Sequence, residues 1–263
     1  MRVLIKGAGD LATGIACRLH VCGFEIIMTE SEVPTTVRRT VAFSRAVYDD
    51  FTQVEGIVAR RAASAEDAEK LLQEGEIPIV IDPDVKFLKQ YKADVVVDAI
   101  IAKRNLGTMM QDADLVIGVG PGFTAGEDCH VVIETKRGHD LGRVIRRGSA
   151  APNTGIPGEI AGYSTERLIK AQADGCFRAA VQIGDVVERG EIVAYSGEVP
   201  IYAQMSGLVR GMLQDGVMVQ KGMKCGDIDA RKERSYCDTV SDKARAIGGG
   251  VLEAILAKRS GNL

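Results

Sequence analysis

Tryptophan is absent from this 263-residue sequence, and phenylalanine and tyrosine number only six each. With 30 glycines, the chain relies on turns and backbone more than on aromatic surface. Histidine is nearly as scarce, with three residues and no HxH or HExxH spacing, so no protein-built metal site is expected. The six cysteines, at 17, 22, 129, 176, 225 and 237, form no CxxC pair. Scattered in this way they fit reduced thiols of a cytoplasmic protein better than disulfides or zinc ligands. Basic excess is missing too: 33 Lys and Arg against 36 Asp and Glu give a net charge of −3, which argues against a nucleic-acid partner. No apolar run is long enough to cross a bilayer, so no membrane is expected. Arg2-Val3-Leu4-Ile5 runs straight into a strand pattern, with no room for a signal peptide. The Walker A lysine is lacking, which leaves ATP hydrolysis unsupported.

What is present begins with alternation. "RVLIK", "FEIIMTE", "EGIVAR", "IPIVID", "ADVVVDAII" and "ADLVIGVGPG" read as strands, several of them near-continuously apolar as buried parallel strands are. Helical spacing follows the first strand at Leu11, Ile15 and Leu19. "SAEDAEKLLQEG" is a helix with Ser64 as cap, Asp67 completing a capping box and Gly75 as stop. Strand, helix, strand over residues 1–125 predicts a Rossmann-like, mostly parallel α/β sheet. Residues 126–175 read as a β-hairpin around "RGHDLG" and a Pro/Gly-rich connector. Residues 176–232 are β-rich, and 233–263 carry a terminal helix capped by Ser241, in which Gly248, Gly249 and Gly250 either break the helix or admit close backbone contact.

The first strand runs into Gly7-x-Gly9-x-x-Ala12, a glycine turn placed between strand and helix, with Glu30 ending the next strand. Small residues there let a phosphate approach the N–H groups of a helix start, and Glu30 suits a ribose hydroxyl. Asp10 disfavours a pyrophosphate beside it and reads equally well as a helix cap. Gly120 to Gly126 form a second glycine loop able to cradle an anion. Arg38 and Arg39 suit phosphate, Lys103 supplies charge, and Asn105 and Thr108 supply polar contacts. Gly7, Gly9, Asp10, Glu30, Arg38, Arg39, Lys103, Asn105, Gly120 and Gly122 are therefore the cofactor-binding candidates. These residues leave the cofactor open, with NAD(P) one they would suit. Nothing names a catalytic step. Cys129 as an accessible thiolate, His139 as an acid or base, Asp98 at a strand end and Lys103 are the candidates.

Two resemblances follow. "GDVVERGEIVA" and "DGVMVQKGMKCGDID" share a G-x-V-x-x-G core about 31 residues apart, and this repeat resembles the biotinyl/lipoyl carrier fold, a barrel-sandwich hybrid. The carrier lysine is missing, since none lies between Lys170 and Lys221, so a docking or structural role is expected. Across the chain, "IKGAGDLATGIACRL", "PTTVRRTVAFSRAVYD", "VDAIIAKRNLGT", "GPGFTAGEDCHVVIETKRGHDLGRVI" and "KARAIGGGVLEAI" resemble YqeB-type accessory proteins of the selenium-dependent molybdenum hydroxylase system. The resemblance implies a maturation role, with a hydroxylase subunit as partner and a dinucleotide-like ligand such as NAD(P) or a molybdopterin dinucleotide. A scaffold docking the apo-hydroxylase and a cysteine-dependent selenium or sulfur transfer enzyme are the alternatives. The glycine-rich terminal helix would also suit a homo-oligomeric interface.

Overall fold

The computed structural model describes residues 1–82 and 91–263. The chain divides into two compact units. The first comprises Met1–Pro34, Ala42–Asn153 and Val240–Leu263, and the second comprises Thr35–Val41 and Thr154–Thr239. No helix among the described residues is long and apolar enough to cross a membrane.

The first unit is built on a nine-stranded sheet. In chain order its strands are β1 (Arg2–Lys6), β2 (Glu25–Glu30), β3 (Phe51–Val54), β4 (Ile57–Ala62), β5 (Ile77–Ile81), β6 (Val95–Asp98), β7 (Leu115–Val119), β9 (Val131–Ile133) and β10 (Val144–Ile145). A short β8 (Thr124–Ala125) pairs with β11 (Gly148–Ser149) outside it. The strand order is β10-β9-β7-β6-β1-β2-β5-β4-β3, and only the outermost strands, β10 and β3, run antiparallel to their neighbours. The order reverses between β1 and β6, where an open parallel sheet leaves a crevice beyond its strand ends. β6 and β7 are buried along their whole length, which is why they carry no polar alternation.

Helices cover both faces. Leu4, Ile27, Val96, Val116 and Val132 from five strands share one cluster with Ala68 and Leu71 of α3 (Ala65–Gln73). The predicted box at its start forms in part: the Ser64 hydroxyl accepts from Asp67 N–H, while the Asp67 carboxylate accepts from Ala63 N–H. A one-turn α2 (Ala46–Asp49) precedes β3. On the other face α1 (Asp10–Val21) packs along α4 (Asp242–Arg259). The glycines of α4 admit close backbone contact and break nothing. A Cβ on Gly248 would lie 2.9 Å from Gly14 O, and one on Gly250 would lie 2.1 Å from Gly142 O. Those two positions are thus consumed inside this unit and are not left for an oligomeric interface.

The second unit has two four-stranded antiparallel sheets, ordered β12-β19-β17-β14 and β16-β15-β13-β18. Its strands are β12 (Leu168–Lys170), β13 (Gly175–Ala179), β14 (Val186–Val187), β15 (Ile192–Ser196), β16 (Val199–Tyr202), β17 (Gly207–Met212), β18 (Met218–Val219) and β19 (Lys224–Asp229). Their inner faces enclose one core containing Phe177, Val193, Ile201, Val209, Met212 and Ile228. The repeat is visible in the backbone. Strand starts at Gly175 and Gly207, Val186 and Met218, and Ile192 and Lys224 all differ by 32 residues. Gly184 and Gly216 both have positive φ, as do Gly190 and Gly222, so each half makes the same turns. The halves exchange a strand: β14 of the first pairs with β17 of the second, and β18 of the second pairs with β13 of the first. The equivalence also takes in Ala171-Gln172 and Ala203-Gln204, upstream of the repeat read in the sequence.

These units do not follow the sequence segments. β9 joins the large sheet parallel to β7, so the first unit extends past residue 125 to Asn153. The terminal helix belongs to that same unit because α1 needs a partner for its glycine-bearing face.

Candidate functional site

Beyond the carboxyl ends of β1 and β6 the chain turns on Gly7, whose φ is +89°. A Cβ there would lie 3.0 Å from Ala99 O and 3.0 Å from Ile100 Cα, so glycine is required by the chain's own approach as well as by the turn. The N–H of Gly7 donates to Thr29 O at 2.8 Å, and that of Ala8 donates to the Glu30 carboxylate at 2.9 Å. The other Glu30 oxygen accepts from the N–H and hydroxyl of Ser31. Gly9 is the extended residue before α1, and no side chain caps the helix. Asp10 is the first helical residue, not the cap, and puts a carboxylate into the first turn.

Behind this turn lies a buried polar network. Lys6 closes β1 and is 3% exposed. Its Nζ donates to Thr108 Oγ1 at 2.8 Å and to Asp112 Oδ2 at 3.3 Å. The Thr108 hydroxyl donates in turn to Asp98 Oδ2 at 2.6 Å, and Asp98 Oδ1 accepts from Ile100 N–H. Burial pushes the Asp98 carboxyl above its ordinary range, opposed by the Thr108 hydrogen bond. A lysine, a hydroxyl and two carboxylates thus tie β1 to the segment that follows β6. That segment holds two non-glycine residues in the left-handed region, Ile101 at φ 62° and Lys103 at φ 63°. For β-branched Ile101 this is a genuine outlier.

The remaining sequence candidates sort by placement. Asn105 is committed to its own loop. Its Oδ1 accepts from Gly107 and Thr108 N–H, and its amide donates to Thr108 O and to Asp128. Gly120 donates its N–H to Ile133 O, and its missing Cβ makes room for Thr135. Gly122 makes room for the backbone of Lys103 and Arg104, with Arg104 N only 2.5 Å from where a Cβ would stand. At both positions the missing side chain thus serves close packing of neighbouring loops, and at Gly120 the N–H that could have met an anion is already taken by Ile133 O. Arg38 and Arg39 belong to the second unit, where Arg38 donates to Tyr236 O and Thr239 O and Arg39 to Gln214. These hydrogen bonds tie the two stretches of that unit together. His139 is exposed in the turn after β9, three strands from β1.

Cys129 is fully enclosed, and burial drives its thiol up to about 11. An attacking thiolate needs access and a lowered pKa, so this cysteine has neither. Lys6 and Asp112 were not recognised from sequence as site residues. The available signal was a lysine ending an otherwise apolar strand just before a glycine. Among the described residues no group of three or more His, Cys, Asp or Glu is arranged to hold a metal ion.

Comparison with known proteins adds a relative. Over 254 residues the chain is 53% identical to a protein of Escherichia coli (strain K12) described as "Uncharacterized protein YqeB". That likeness supports a YqeB-type family. It covers 97% of this chain but 47% of the relative, so the chain spans about half the length of the YqeB protein it matches. No family model matches the chain. Two solved structures are similar over 86% of this chain and 84% of theirs. An aspartoacylase family protein from Mesorhizobium loti has 12% identity and a TM-score of 0.27. A succinylglutamate desuccinylase/aspartoacylase from Rhodobacter sphaeroides has 16% identity and a TM-score of 0.28. Likeness at that level carries no argument about this chain's chemistry.

Proposed function

We propose that this chain is an accessory protein in the maturation of a selenium-dependent molybdenum hydroxylase. Its sheet unit holds a dinucleotide-like ligand at the reversal between β1 and β6. The observation that carries the ligand reading is the strand order itself, which sets a glycine turn and an uncapped helix start at the reversal, with Glu30 at the end of the adjacent strand. The YqeB-type resemblance supports the maturation role. The second unit, with two sheets and a β15–β16 turn at Gly197-Glu198 that offers no lysine, suits docking on a hydroxylase subunit and not carriage of an acyl group.

The test is thermal unfolding of the purified protein with NAD+, NADP+ and a molybdopterin dinucleotide. Ligand at 100 times its Kd stabilises by ~2.7 kcal/mol, a rise of roughly 5–10 °C for a chain of this size. If none of the three ligands shifts the midpoint, the dinucleotide reading is withdrawn.

A further inference from the structure

Charge at the β1/β6 reversal is divided. On the β1–β2 side stand the carboxylates of Asp10 and Glu30, and the N–H groups of Gly7 and Ala8 are already taken by Thr29 O and Glu30. A phosphate placed over this turn meets negative charge and finds those two donors occupied. On the β6–β7 side, Lys103 and Arg104 are exposed, and neither pairs with a carboxylate among the described residues. The backbone that presents them is strained at Ile101 and Lys103 and held from several sides. Gly122 packs against Arg104 N, Asn105 staples the loop to Asp128, and Thr108 is fixed by Lys6 and Asp98. A plain connector from β6 to β7 has no need for two left-handed non-glycine residues within three positions. Strain maintained in this way clusters at ligand clamps.

We propose that residues 101–104 form an anion clamp in which Lys103 and Arg104 hold the phosphoanhydride of the ligand on the β6–β7 side of the reversal, while Glu30 takes its sugar hydroxyls on the β1–β2 side. The ligand class is thereby a nucleoside diphosphate or a dinucleotide bound through its diphosphate, with the phosphates displaced from the glycine turn. The inference rests on the reading of this sheet edge as a ligand site and adds where each part of the ligand lies.

The probes are inorganic pyrophosphate, a nucleoside diphosphate and the matching nucleoside, titrated calorimetrically at low and moderate salt. Pyrophosphate and the nucleoside diphosphate bind the unaltered protein, more weakly as salt rises. The Lys103→Ala/Arg104→Ala double variant binds both at least about tenfold more weakly, the loss of charge-assisted hydrogen bonds, with its melting midpoint preserved because both side chains are exposed. The clamp is overturned if the unaltered protein binds no pyrophosphate, or if the double variant binds it as tightly. It is equally overturned if Asp10→Asn raises pyrophosphate affinity about tenfold, which would locate the anion at the helix start. The two readings separate cleanly. A dinucleotide that binds the double variant unchanged keeps the ligand site and sinks the clamp. Pyrophosphate binding that needs Lys103 and Arg104, in a protein no dinucleotide stabilises, keeps the clamp and sinks the dinucleotide.

Discussion

Cys17 and Cys129 show how burial decides what a side chain can do. Desolvation raises their thiols to about 12 and about 11, so each stays protonated in the folded chain where an unfolded thiol, with an ordinary value near ~8.5, is already ionised. In that window the folded state binds more protons than the unfolded one, and stability falls as pH rises. The unfolding free energy read from urea titrations should therefore fall steadily above about pH 8.5, by up to ~1.4 kcal/mol per pH unit for each such thiol. Cys129→Ala should make the fall shallower, even though the cavity it leaves lowers the starting stability; an unchanged slope would contradict this account. A thiol reagent at neutral pH should label exposed Cys22 and Cys176 and reach Cys17, Cys129, Cys225 and Cys237 only after denaturation. Native-state labelling of Cys129 would reopen the sulfur-transfer alternative that its burial disfavours.

At the scale of elements, the α1–α4 pair turns on single hydrogens. A Cβ on Gly249 meets nothing, so Gly249→Ala should stabilise by up to ~1 kcal/mol through helix propensity alone. Its neighbour has no such room, and Gly250→Ala should cost roughly 2–3 kcal/mol or more by forcing the Gly142 loop away. Denaturant midpoints of the two variants moving in the same direction would refute the packing described. The same elements show what a sequence reveals. β1, β2, β4, β5, β6 and β7 were readable because apolar runs between glycines have few other uses, and α3 because its cap residues sit at fixed spacing. The β9–β10 hairpin around "RGHDLG" was legible too, but that β9 also joins the large sheet was not, because a three-residue strand carries no sign of which sheet it joins. At the site, Gly7, Asp98 and Glu30 were legible as strand ends. Asp112 was not, since its meeting with Lys6 spans 106 residues of chain and leaves no local pattern.

At the scale of the whole chain, the second unit is assembled from two separate stretches. Residues 35–41 supply Val37 O to Met212 N–H, and Arg38 donates to Tyr236 O and Thr239 O. Gly211 admits that stretch, since a Cβ on it would lie 2.9 Å from Val37 O. Arg38→Leu removes a buried cation that satisfies two carbonyls, a loss of roughly 2–4 kcal/mol. Hydrogen exchange should quicken at Met212 and along β17 and β19, while amides of β1, β6 and β7 keep their protection; uniform loss across both sets would refute the division. The exchanged strands set an order of events during synthesis. Because β13 waits for β18 and β14 waits for β17 and β19, a nascent chain emerging from the ribosome can complete neither small sheet before Val219 and Asp229 are free. The glycine face of α1 stays uncovered until residues beyond 240 have been made. Between the synthesis of α1 and that of α4 the chain therefore presents unfinished sheet edges and an open helix face.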